Sequence, residues 1–378
     1  MDGFAMGTYP IPDRNRYRLA GEEGIESPAL IYYRDIIEEN LEKAIRLAGG
    51  ADRLWPHVKT HKMEALVRMQ AGRGIRRFKC ATIAEAEMSA RAGGEHVLLS
   101  YPLVGPNIGR FIRLVERYGE TLFYAVGDDR EQLALLAGAA RASGREIPVL
   151  LDLNLGMNRT GAALEELEAL CLDCGALEGI RLMGFHCYDG HFSIPLREER
   201  ENAVDGVTLR LEKIIETLKA RGRDFPLLVM GGTPTFPCHA KGKTGYFSPG
   251  TCFVQDWGYA SKYPDLDFVP GAALLSRVVS RPGPGLFTLD LGCKAISTDQ
   301  EGRRGIIVDL PEARPVAHSE EHWVFRLEGQ PPPIGTALYV LPTHICPTTV
   351  LYPGAWVASK GRLVDYWEVS ARDRRLSV

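Results

Sequence analysis

Between residues 54 and 259 short apolar or β-branched runs alternate with amphipathic segments, and this alternation limits the fold more than any other feature. The runs are "LWPHVKT", "RFKCAT", "HVLLSY", "TLFYAV", "IPVLLDLNL", "RLMGFHCY", "PLLVMGG" and "TCFVQDWGY". Between them lie segments such as "PNIGRFIRLVERYG", "EQLALLAGAARASG" and "VTLRLEKIIETLKARG", with apolar residues three and four apart, the spacing of one helix face. "TIAEAEMSARAGG" starts with Thr82 three residues before Glu85, a capping box, and ends at glycines. Strands and helices in strict alternation over about 200 residues predict a (β/α)8 barrel. A doubly wound open sheet would carry a G-x-G-x-x-G turn after its first strand, and the sequence has none there.

Past about residue 265 the helical period stops. "LLSRVVSRPG", "LFTLDLG", "GIIVDL", "HWVFRL", "ALYVLP", "AWVAS" and "LVDYWEVS" read as short strands between Pro, Gly and charged turns, an antiparallel β domain. "SPALIYY", upstream of the barrel, is a further strand candidate for it. The expected division is a barrel over residues 25–265 and a β domain over 266–378, with 1–24 as a candidate addition to the latter. A length of 378 residues suits two such domains.

Composition mainly excludes. A net charge of -3 lacks the basic footprint of a nucleic-acid binder. No apolar run approaches the roughly 20 residues of a membrane span. The first residues have no basic region followed by an apolar core, so no signal peptide is expected. Eight cysteines are too sparse for a disulfide scaffold, and the Cys171/Cys174 pair lies in a helical pattern without a second pair to complete a zinc site. The expectation is a cytoplasmic protein with reduced thiols, in which the "NRT" sequon at 158–160 is coincidental.

A barrel carries its chemistry at the C-terminal ends of its strands. Polar groups collect there: Lys59, Thr60 and His61; Asp152, Asn154 and Arg159; His186, Tyr188, Asp189 and His191; "GGTPT"; and Asp256 and Tyr259. Lys59 can lose its proton in a pocket and form a Schiff base. Gly231, Gly232 and Thr233 start a turn whose amides and hydroxyls can face a phosphate. An amine and a phosphate turn on one barrel rim point to pyridoxal 5'-phosphate. Near the C-terminus His344 and Cys346 are two apart in "LPTHICPT", so in a strand both would face one way. Imidazole with thiolate favours zinc, while a half-buried strand would need no metal at all.

"PHVKTHK", "ATIAEAEMSARAG", "GMNRTG", "YDGH", "GGTPT", "SPGTCFVQD", "LDLGCKAIS", "SEEH" and "HICPT" follow one another along nearly the whole chain. In this the sequence resembles the D-threonine aldolase and D-serine dehydratase family of fold type III, alanine-racemase-like pyridoxal phosphate enzymes. The resemblance implies a barrel with a C-terminal β domain, and a homodimer whose sites combine the barrel of one subunit with the β domain of the other. It makes Lys59 the Schiff-base lysine, "GGTPT" the phosphate turn, Arg159 a residue beside the cofactor, and Tyr188 and His191 substrate-side residues. It makes His344 and Cys346 the ligands of a divalent metal, with zinc ahead of manganese or magnesium. Trp55 stands where many relatives carry arginine. The cysteine at 346 is the dehydratase choice, where typical aldolases carry aspartate.

The implied activity is on small D-3-hydroxy amino acids. Lys59 removes the α-proton, a metal assists departure of the β-hydroxyl, and His191 orients the hydroxyl. D-serine or D-3-hydroxyaspartate then gives a 2-oxo acid and ammonia. The alternative is a D-threonine aldolase that breaks Cα–Cβ to glycine and an aldehyde. An amino-acid racemase or a non-catalytic pyridoxal phosphate carrier leaves the metal pair without a task. His57 and His61 are neighbours without an assigned role.

Overall fold

A computed structural model describes residues 12–242 and 245–378. The chain divides into two compact units. One holds residues 45–250 with Ala371–Val378, and the other holds the described residues up to Ala44 with Thr251–Ser370. The breaks therefore fall after residues 44, 250 and 370, rather than at 25 and 265.

The first unit is the barrel. Parallel strands lie in the order Arg77–Cys80, His96–Leu99, Leu122–Gly127, Ile147–Asn154, Ile180–Cys187, Leu227–Met230 and Tyr246–Phe247, with the short Ala162–Ala163 strand beside Ile147–Asn154. Strands in such a sheet are covered on both faces, so near-continuous apolar runs are what the geometry requires. The ring is closed by residues 54–57, which make single parallel bridges to each end strand, Leu54 with Phe247 and His57 with Lys79. Trp55 N donates to Phe247 O at 2.7 Å, and Lys79 N to Pro56 O at 2.8 Å. Inside the ring Trp55 packs edge-on to Tyr124 and Tyr246, and its indole N–H donates to Phe78 O at 2.7 Å. Trp55 thus fills the barrel interior with Leu98, Val126, Leu150 and Val229.

The helices follow the apolar spacing: Ile83–Arg91, Pro106–Arg117, Arg130–Ala142 and Arg197–Ala220 fall on the predicted segments. Thr82 Oγ1 caps the first of these, accepting from Glu85 N at 3.1 Å. Glu85 reaches back to Ala81 N rather than to the cap's own amide. Cys171 and Cys174 are buried in the Leu167–Cys174 helix, and none of the eight cysteines is in a disulfide.

Two strand expectations are corrected. "LWPHVKT" is not a ladder strand; it leaves the barrel as a 3-10 turn over Val58–Thr60. The last barrel strand is Tyr246–Phe247, and "TCFVQDWGY" belongs to the other unit, as a 3-10 turn over Thr251–Phe253 and the helix Trp257–Lys262. The physical reason is Asp256, whose carboxylate accepts from Tyr259 N at 2.8 Å and caps that helix. Asp256 and Tyr259 are therefore not strand-end residues of the barrel.

The second unit is built on a nine-stranded, mostly antiparallel sheet. Ala272–Gly283 pairs with Ala29–Tyr33, Leu286–Leu289 and Ala337–Pro342. Ala29–Tyr33 also pairs in parallel with Gly354–Ser359, which brings "SPALIYY" into this sheet as expected. Tyr17, Ile31, Tyr33, Leu275, Tyr339 and Leu341 form its core. Residues 1–11 of the predicted N-terminal addition lie outside the described residues. Among the described residues no helix is long and apolar enough to cross a membrane. The architecture is the expected one, a parallel-stranded barrel unit and a mostly antiparallel β unit.

Candidate cofactor site and metal pair

The turn over Val58–Thr60 sorts the basic residues of "HVKTHK". Val58 and Thr60 point into the core, which leaves Lys59 exposed. Lys62 instead forms an ion pair with the fully buried Glu85. His61 is buried, accepts from Met63 N at 3.1 Å, and burial followed by Lys62 pushes its pKa down to about 3. His57 is likewise held neutral, by burial first and then by Lys79 and Lys59, with Nδ1 3.1 Å from the Lys79 carbonyl oxygen. Both histidines shape the turn as uncharged rings, and Lys59 is the amine it presents.

The "GGTPT" turn is rigid by its own bonds. Gly231 N donates to Cys187 O at 3.0 Å and Gly232 N to Thr235 Oγ1 at 3.1 Å. Thr235 Oγ1 in turn donates to Asp189 Oδ1 at 2.6 Å, and His239 Nε2 lies 2.7 Å from Asp189 Oδ2. The two glycine amides are thus committed within the protein, contrary to the expectation that they face an anion. The glycines serve by shape: Gly231 has φ +76°, and a Cβ at Gly232 would lie 3.1 Å from the Tyr188 ring. Thr233 is buried and accepts from Gly250 N at 3.3 Å.

Tyr188 packs at the centre of this group. The Arg159 guanidinium lies 5.2 Å from its ring centroid, and Lys79 Nζ 5.4 Å on the same criterion. His191 stacks on Phe192 beside the Gly156 turn, and its Nδ1 is buried without a hydrogen-bond partner. An exposed lysine on a fixed turn, a glycine turn packed closely against Tyr188, a nearby arginine and an orphaned imidazole nitrogen fit an aldehyde-bearing anionic cofactor such as pyridoxal phosphate.

Lys79 and Ser248 were not singled out from sequence, whereas Asp152, His186 and Asp189 were named only as polar strand-end groups, without their partners. Lys79 Nζ donates to Ser248 Oγ at 2.6 Å and lies 3.4 Å from His186 Nε2. His186 Nδ1 lies 2.7 Å from Asp152 Oδ1, and Asp152 Oδ2 accepts from Thr160 at 2.8 Å. Asp189 anchors the glycine turn. The readable signal for Lys79 was a charge in the middle of a buried parallel strand, "RFKC".

In the other unit, His344 and Cys346 are not strand neighbours. The strand ends at Pro342, His344 is the N-cap of the Ile345–Thr349 helix, and Cys346 lies in its first turn. The expected common strand face is replaced by a helix start, because Asp256 Oδ2 accepts from Ile345 N at 3.0 Å and holds that turn. His344 Nδ1 lies 2.6 Å from Asp299 Oδ2. Burial opposes a charge on His344, but Cys346, Asp256 and Asp299 outweigh it and lift its pKa to about 9. The pair sits in surroundings that favour a cation, and its donors are those of zinc. Among the described residues no third His, Cys, Asp or Glu joins to form a group of three.

Fold and site together define a barrel enzyme of the pyridoxal phosphate class. Residues 33–254 match the family model "Alanine racemase, N-terminal domain", and residues 271–358 match "Putative serine dehydratase domain". The chain belongs to the alanine racemase N-terminal-domain family. It is 28% identical over 365 residues to a D-threonine aldolase of an Arthrobacter species, covering 92% of this chain and 93% of that one. A D-threonine aldolase structure from Filomicrobium marinum superposes with TM-score 0.85 at 27% identity, covering 93% and 96%. A D-threo-3-hydroxyaspartate dehydratase of a Delftia species is 22% identical, covering 91% and 97%. Its structure is also known for a histidine variant and, in the metal-free form, for a variant of the cysteine two residues further on, with TM-scores of 0.82 and 0.81, a likeness of fold.

Proposed function

We propose that this chain is a pyridoxal phosphate- and divalent metal-dependent lyase for small D-3-hydroxy amino acids, acting as a dehydratase that yields a 2-oxo acid and ammonia. The observation that carries it is the His344–Cys346 pair, set in anionic surroundings. Its two-residue spacing is that of the histidine and cysteine altered in the Delftia dehydratase variants. Full-length similarity to enzymes of D-3-hydroxy amino acids supports the substrate class.

Lys59 would hold the cofactor aldehyde, and the turn over Gly231, Gly232 and Thr233 would lie at its phosphate end, with Arg159 and Tyr188 against the ring. Bound there, pyridoxal phosphate supplies a sink for the negative charge that develops at the α-carbon. The amine of Lys59, once released by substrate, takes the α-proton at Nζ. His191 offers its unpartnered Nδ1 to the substrate hydroxyl. A zinc ion on His344 and Cys346, with manganese or magnesium as substitutes, would polarise that hydroxyl and ease its departure with a proton as water. We place the protein in the cytoplasm on its eight cysteines outside any disulfide, and assign it a homodimer with shared sites.

A second reading, D-threonine aldolase, is favoured by the full-length likeness to two such aldolases. Product analysis decides. D-serine, D-threonine and D-3-hydroxyaspartate are offered separately, and ammonia with an oxo acid is expected. Glycine with an aldehyde would transfer the assignment to the aldolase, and turnover of L-isomers alone would sink both. Metal analysis of the purified protein is expected to find about one zinc per chain in the wild type and almost none in His344→Ala. Equal metal content in the two would remove the metal reading.

A further inference from the structure

Lys79 is the only lysine buried among the described residues, and the proposed chemistry leaves it without a task. It sits between Phe78 and Cys80 in the Arg77–Cys80 strand, both fully buried, and its amine reaches a hydroxyl and an imidazole rather than a carboxylate. A buried amine held for stability is normally paired with an acid, because an unpaired buried charge is costly. Here a hydrogen-bonded chain instead crosses the barrel from Ser248 through Lys79 and His186 to Asp152 and Thr160. The Asp152 carboxylate accepts from His186 Nδ1–H, which leaves Nε2 to accept from Lys79.

The charges that act on Lys79 sit on several elements. Lys59 on the closing turn and Arg159 after the Ile147–Asn154 strand oppose its protonation, while Asp152 and Asp189 favour it. His57 is neutral, and the buried Cys187 is kept a thiol by burial. Burial first, and Lys59 next, bring the pKa of Lys79 down to about 7. Its charge can therefore change near neutral pH, on the same barrel rim as Tyr188 and Arg159.

We propose that Lys79 is a second amine of the cofactor site, a positioning residue whose charge sets how readily the imine nitrogen formed at Lys59 keeps its proton. This rests on the reading of Lys59 as the Schiff-base lysine. A cation close to a protonated imine disfavours it, so an uncharged side chain at 79 raises the pH at which the imine loses its proton.

The test follows the Schiff-base absorbance of the pyridoxal phosphate-loaded protein from about pH 5 to about pH 10, a readout independent of turnover. In Lys79→Arg, charged at every pH of the scan, the midpoint is expected about one unit below wild type, and in Lys79→Met and Lys79→Gln at or above wild type. An Arg midpoint at or above wild type overturns the proposal, and so does a Met or Gln midpoint below wild type. Two uncharged variants guard against one that does not fold. If wild type forms no band with added pyridoxal phosphate, or Lys59→Ala keeps it unchanged, the Lys59 reading falls and takes the proposal with it. That failure is recognised because it shows before residue 79 is altered.

Discussion

At the scale of single residues the chemistry depends on which charges the fold ties down. Lys62 is paired with Glu85, His57 and His61 are uncharged, and Lys59 is left exposed on a rigid turn. Asp189 matters in the same way, because it alone accepts from both Thr235 and His239 beneath the glycine turn. Asp189→Ala should therefore weaken pyridoxal phosphate binding by roughly tenfold or more, the loss of one or two hydrogen bonds to a charged group. Fluorescence titration of the apoprotein measures it, and an unchanged affinity would remove Asp189 from the site. Lys79 gives a pH prediction whose sign is fixed. Its folded pKa of about 7 lies below the ordinary 10.5, so between those values the unfolded chain binds more protons. Stability relative to Lys79→Met should then rise from about pH 7 to about pH 10 and stay flat below pH 7. Urea melts of the two apoproteins at several pH values check this, and parallel curves would show that Lys79 titrates normally.

At the scale of elements, local chemistry decided where strands begin and end. Gly184 has φ +153°, lies where the Ile147–Asn154 and Ile180–Cys187 strands shift register, and would place a Cβ 1.7 Å from Leu227 O. Gly184→Ala should cost more than about 2 kcal/mol by forcing apart the pairing to Leu227–Met230. Thermal denaturation reads this cost, and a melting point unchanged from wild type would mean the strands can shift to make room. This strain was invisible in "RLMGFHCY", where Gly184 reads as one weak strand residue. The helices were legible because their apolar spacing repeats over three or more turns, and Thr82 marked its helix start correctly. The ends of the barrel were not legible. The closing segment makes only two bridges, the last strand is two residues long, and both fall below what periodicity can resolve. "HICPT" was misread as a strand because the Asp256 carboxylate that holds its amide is distant in sequence. The site itself was half legible. Lys59, Asp152, Arg159, His186, Tyr188 and the glycine turn could be nominated from strand ends, but Lys79 and Ser248, and the bonds that join them to His186, emerge only when the strands close into a ring.

At the scale of the whole molecule the question is how a barrel unit carrying Lys59 and a sheet unit carrying His344 and Cys346 contribute to one reaction. Our proposal assigns each site the barrel of one subunit and the β domain of its partner. This makes a prediction that does not depend on where the units lie within a chain. Lys59→Ala and Cys346→Ala subunits are each expected to be inactive alone. In a hybrid dimer of the two, one composite site carries both changes and the other carries neither. Random exchange at equal amounts gives about half hybrids with half their sites intact, so roughly a quarter of wild-type activity should return. Co-expression with two different affinity tags isolates the hybrid, for which the expected activity is about half of wild type. If every site is built within one chain, both sites of the hybrid carry one change and no activity returns. A protein that sediments as a monomer at working concentration would end the shared-site proposal at once, whatever the hybrid shows.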